Sequence, residues 1–73
     1  MNRQLENLPE LVKEVRRQLG LSQEELAHAL GVSFATVNRW ENGKTMPSKL
    51  ARKQFSAFVA AQTRNGKLSL KDF

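Results

Sequence analysis

The sequence predicts an all-α fold of four helices, with room for a fifth, and a C-terminal tail whose structure is left open. Three observations carry this. Apolar residues recur at three- and four-residue intervals through Leu8, Leu11, Val12, Val15 and Leu19, and again through Leu50, Ala51, Phe55, Phe58 and Val59. Between these stripes, two short segments each open on a serine and close on a glycine, the punctuation of short helices. No strand pattern interrupts residues 8–64.

Taken in order, residues 1–7 are polar and are expected to be flexible. Pro9 falls in the first turn of the first helix, where its missing N–H costs little, and Gly20 stops that helix. Ser22 caps a second helix over about 23–30. Glu25, three residues on, can return a bond to the Ser22 N–H, and Leu21 and Leu26 are placed as the matching hydrophobic staple. Gly31 supplies the left-handed residue that ends it. The same grammar repeats, with Ser33 as cap, Val32 and Val37 as staple, and Asn42-Gly43 as the end of a third helix over about 34–41. Pro47-Ser48 announces the fourth helix, which runs to Gln62 or Arg64 before Asn65-Gly66. Residues 65–73 form a tail in which apolar and polar residues alternate. A short strand, a packed segment and disorder all remain open there, and its Leu68, Leu70 and Phe73, with the fourth helix, are candidates for a dimer or partner contact.

Seventy-three residues make one small domain, which buries only about 60% of its unfolded surface and leaves little room for a catalytic cleft. The chain has no cysteine and one histidine, His28, which excludes disulfides and any cysteine- or histidine-built metal centre. No apolar run reaches the ~18 residues of a membrane span, and the polar start does not resemble a signal peptide, so a bacterial cytoplasm is the expected compartment. No cofactor is expected. Asn42-Gly-Lys-Thr45 matches the end of a phosphate-binding loop, but the spaced upstream glycine and the preceding strand are missing. No nucleophile–base pair is present to suggest catalysis; Glu24 and Glu25 suit the positive start of their helix instead.

Charge is unevenly placed. Residues 1–31 carry four basic and five acidic side chains, net −1, whereas residues 32–73 carry eight basic and two acidic ones, net +6. The basic half begins at the third helix, a footprint that suits a polyanion. Two helices joined by so short a turn must cross steeply, with Ala27 allowing close approach. Over about 22–42 this is a helix-turn-helix, whose second helix is built to enter the DNA major groove.

The same segment resembles the phage-repressor (Cro and lambda repressor, also called Xre) helix-turn-helix family. The resemblance rests on Leu21-Ser-Gln, Leu26-Ala, Gly31-Val, Val37 and Trp40-Glu-Asn-Gly-Lys44, and extends from about Leu11 to Val59. It implies a sequence-specific double-stranded DNA-binding transcription regulator, a repressor acting as a homodimer. Base contacts would come from Ser33, Phe34, Ala35 and Arg39. Backbone contacts would come from Gln23, Thr36, Asn38, Asn42, Gly43, Lys44, Thr45 and Lys49, and Arg16 would pair with Glu41 inside the domain.

Arg39 has the best physical case, since a guanidinium can donate two parallel bonds to guanine. Phe34 and Ala35 lack hydrogen-bonding side chains, so they either meet thymine methyls or fill space. The glutamine pair that some family members carry there is absent. Trp40 has the helical phase of a core residue rather than of a base-stacking one. Two alternatives share the same DNA-facing helix: an antitoxin-type regulator that binds a toxin protein, and the DNA-targeting module of a larger restriction-modification enzyme.

Overall fold

The first helix, α1 (Leu8–Leu19), begins with proline in its first turn and ends at Gly20, whose φ of 67° is left-handed. It is followed by α2 (Gln23–Leu30), α3 (Phe34–Glu41) and α4 (Lys49–Arg64). This computed structural model describes residues 7–70. The expectation of a flexible start therefore falls almost wholly, and that of a contact at Phe73 wholly, outside the described residues.

The local chemistry read from the sequence is present at each boundary. The Ser22 hydroxyl accepts from Glu25 N at 3.0 Å while the Glu25 carboxylate accepts from Ser22 N at 2.8 Å, a complete capping box. Ser33 and Ser48 each accept one backbone N–H of the following turn, from Thr36 and Ala51. Gly31 is needed for the turn between α2 and α3. At φ 74° it lets its own N–H reach His28 O and the next N–H, that of Val32, reach Ala27 O, closing both orphan carbonyls with three residues of connection.

The core gathers one face of every helix. Val12 and Val15 of α1, Leu26 of α2, and Val37 and Trp40 of α3 are almost wholly buried, with Leu8, Leu11, Ala27, Leu30, Ala51 and Phe55 around them. α3 packs against both α1 and α2, and α4 closes the base against α2. Trp40 meets Phe55 edge to face, with ring centroids 6.3 Å apart. Burying side chains of this size stabilises the fold by roughly 1.5–3 kcal/mol each, which is how two eight-residue helices persist that would not be stable alone.

Two expectations are corrected here. Leu50, expected on the inward stripe of α4, is 67% exposed. At 3.6 residues per turn it stands about 140° around the helix from Phe55, whereas Ala51 stands about 40° away. Leu68, offered as a partner contact, is instead 4% exposed and part of the chain's own core. Of the forms left open for the tail, the described residues take the packed one. The Gln18 carboxamide donates to Ser69 O and accepts from Ser69 N, both at 2.8 Å, and so holds the segment beside α1.

Among the described residues, no helix is long and apolar enough to cross a membrane, and no cluster of residues could hold a metal ion.

Candidate nucleic-acid interface

α3 turns Val37 and Trp40 into the core and leaves Phe34, Ala35 and Arg39 exposed. Ser33 just before the helix is also exposed, but its hydroxyl is engaged, accepting from Thr36 N at 3.1 Å and meeting Thr36 Oγ1 at 2.8 Å. Arg39 has no side-chain hydrogen bond or ion pair among the described residues. Its five donors therefore face solvent unengaged.

The amides around α3 are organised differently. Arg16 closes on Glu41 through Nε to Oε2 at 2.5 Å and Nη2 to Oε1 at 2.9 Å, with Nη1 on Leu21 O at 3.0 Å. Gln23 Nε2 donates to the same Glu41 Oε1 at 3.0 Å. Its carbonyl accepts from Asn38 Nδ2 at 3.1 Å, and the Asn38 carbonyl accepts from Asn42 Nδ2 at 3.0 Å. An unbroken run of side-chain bonds thus leads from α1 through the start of α2 to the exposed end of α3.

This run decides what its members can offer DNA. Reading adenine takes a free donor and a free acceptor on one amide. Gln23 and Asn38 have their carbonyls engaged inside the domain, and each keeps one N–H, the complement of a phosphate oxygen. The sequence places Gln23 beside the free N–H groups that open α2; its bonds to Glu41 and Asn38 leave no trace in periodicity, because Gln23 lies more than a dozen residues from either in the chain.

Glu41 is buried at 4% exposure. Burial alone would raise its carboxyl pKa, but the bonds from Arg16 and Gln23, helped by the positive charges of Arg16 and Lys13, outweigh it and hold the group below its ordinary 4.5. The same bond to Glu41 outweighs the desolvation of Arg16 and raises the guanidinium further. This pair remains charged at any pH near neutrality.

Gly43, Lys44 and Thr45 form the loop after α3, all exposed, and Lys49 is exposed at the start of α4. Gly43 takes φ 69°, which lets Lys44 N reach Arg39 O at 3.0 Å and turns the chain away from the helix end. Asn42 is exposed beside it. Phosphate-directed candidates therefore lie at both ends of the α2–α3 unit, and base-directed ones lie on the outer side of α3.

Two short capped helices packed across a glycine turn, the second with an exposed outer side and a basic loop after it, define a DNA-binding helix-turn-helix domain. A family model described as "Helix-turn-helix" matches residues 12–51, and the chain belongs to that family, of the Xre type. The chain is 49% identical over 43 residues to the type II methyltransferase M1.ScrFI of Lactococcus lactis subsp. cremoris, covering 55% of this chain and 11% of that protein. It is 41% identical over 46 residues to the type II methyltransferase M.SsoII of Shigella sonnei, covering 59% and 12%. An uncharacterized HTH-type transcriptional regulator of Methanothermobacter thermautotrophicus is 47% identical over 38 residues, covering 52% of this chain and 55% of that one. The chain thus spans about a tenth of the length of the two methyltransferases and about half that of the regulator. No solved structure matches it. The methyltransferase likeness covers the helix-turn-helix portion, which is a binding unit and not a catalytic one.

Proposed function

We propose that the chain is a sequence-specific double-stranded DNA-binding regulator of transcription, a repressor that lays α3 in the major groove. The observation that carries this is Arg39: an exposed, unpaired guanidinium on the outer side of a helix whose opposite side is locked into the core. A guanine presents O6 and N7 at the spacing of that fork. Ser33, Phe34 and Ala35 flank it toward the base edges. Gln23, Thr36, Asn38, Asn42, Gly43, Lys44, Thr45 and Lys49 serve the sugar-phosphate strands. One eight-residue helix reads few bases, so two copies bind an inverted repeat whose half-sites lie about 34 Å apart.

Selection from random duplex DNA at near-physiological salt, with the bound species sized by light scattering, tests this. An enriched inverted repeat carrying two chains is the expected result. Salt-sensitive binding without enrichment would overturn it.

A second reading, the DNA-targeting module of a restriction-modification enzyme, is favoured by the two type II methyltransferases that match over the same helices. It predicts that a methyltransferase domain, fused or encoded alongside, binds or methylates the selected site.

A further inference from the structure

We propose that Phe34 reads the 5-methyl group of a pyrimidine, so that binding responds to thymine, and equally to 5-methylcytosine, at one position of the site. This rests on α3 being the major-groove helix.

Phe34 is the first residue of α3 and is 49% exposed, one of three large hydrophobic residues so exposed among the described ones. It does not fill space in the core, which closes on Val37 and Trp40 without it. The polar groups around it are partly engaged. Ser33 and Thr36 bond each other, and Gln23 and Asn38 have their carbonyls committed within the domain. The largest group that the opening turn of α3 leaves exposed is this aromatic ring, flanked by the exposed methyl of Ala35.

The apolar group that the major groove offers in return is the methyl at pyrimidine C5. Thymine carries it, and cytosine carries the same group once methylated. A ring without donor or acceptor cannot tell the O4 of thymine from the N4 amine of cytosine. Phe34 therefore separates methylated from unmethylated pyrimidines rather than thymine from cytosine. Arg39 lies five residues further along α3, about 7.5 Å in rise and about 140° around the helix, so the two side chains meet different base pairs.

The test uses the selected duplex, with each thymine replaced in turn by uracil, and with cytosine or 5-methylcytosine placed at any sensitive position opposite guanine. At one position per half-site, uracil should weaken binding about fourfold, the effect of withdrawing one methyl from an apolar contact. There, 5-methylcytosine should bind about fourfold tighter than cytosine. Phe34→Ala, at an exposed position, should fold normally and lose both differences while keeping the guanine preference. Selective binding that ignores uracil everywhere, or methyl effects that survive in Phe34→Ala, would overturn this inference alone. If no sequence is selected at all, the DNA-reading function falls with it.

Discussion

Gln23 joins Glu41 and Asn38 with a single carboxamide, donating to the first at 3.0 Å and accepting from the second at 3.1 Å. A residue at the edge of the proposed DNA-facing surface is thereby fastened to the buried ion pair of Arg16 and Glu41. The orientation of α2 against α3 and the aim of the phosphate-directed N–H groups depend on the same bonds. Replacing Gln23 by alanine should loosen Asn38 as well as remove its own contact. The expected result is a loss of affinity larger than that of a single phosphate contact, and non-additive with Asn38→Ala. Binding titrations of the two single variants and the double variant measure this; strict additivity would show that the bonds do not couple the two sites.

Removing one partner of a buried, doubly bonded ion pair leaves the other uncompensated, at a cost of about 3–5 kcal/mol. Arg16 retains 25% side-chain exposure, so water can take over part of its solvation and the lower end applies. Glu41→Ala should therefore lower unfolding stability by about 3 kcal/mol in urea titrations. An unaltered midpoint would mean that the pair does not hold in solution.

The same carboxylate sets a pH dependence. Because its pKa in the folded chain lies below 4.5, the folded state binds fewer protons there than the unfolded chain does. Its contribution is fully present above that ordinary value and is lost as pH falls through the lower folded value. Acid titration of stability should show a decline beginning below about pH 4.5, and Glu41→Gln should flatten that part of the curve. A variant as acid-sensitive as the parent would assign the decline to other carboxylates. Glu14 is one such group, held near 2 by bonds from Arg17 and Gln18 at the surface.

The helices were legible because their signals are local. Ser22 with Glu25, Ser33, Ser48, and the glycines at 20, 31, 43 and 66 determine starts and stops within four residues of themselves, and the packing agrees with them. The helical phase of Trp40 points it into the core, where it lies. Leu50 was not legible, because near a helix start one residue of phase separates inward from outward and leucine suits either. The tail was illegible for a different reason. Leu68 is buried in a segment that Gln18, some fifty residues earlier, fastens by offering both ends of its amide to the Ser69 backbone, and no spacing rule foresees that. The candidate interface divides along the same line. Phe34 and Arg39 stand out as residues that the core does not need, while the bonds linking Gln23, Asn38 and Asn42 are a product of the fold.

The docked tail is itself testable. Leu68→Ala removes a buried side chain and should cost about 2–3 kcal/mol, at the lower end for leucine because the segment lies at the edge and can relax. Gln18→Ala should cost less but should expose the Ser69 amide, which hydrogen exchange reads directly. Full protection of that amide in the Gln18 variant would show that Leu68 alone holds the tail.

Lys44 and Arg39 should fail in different ways when truncated. Lys44 is exposed in the loop after α3, where the proposed function has it meet phosphate, a contact that carries no base information. Lys44→Ala should weaken binding to every duplex alike and reduce the slope of log affinity against log salt by about 1. Arg39→Ala should leave stability unchanged, because no described residue depends on its side chain. It should cost about 1–3 kcal/mol on the selected site and erase the preference at one base pair per half-site. Competition between matched duplexes that differ at that base pair decides the matter. If Arg39→Ala keeps the parent's preference there, the guanidinium contacts the backbone, and specificity must come from the opening turn of α3.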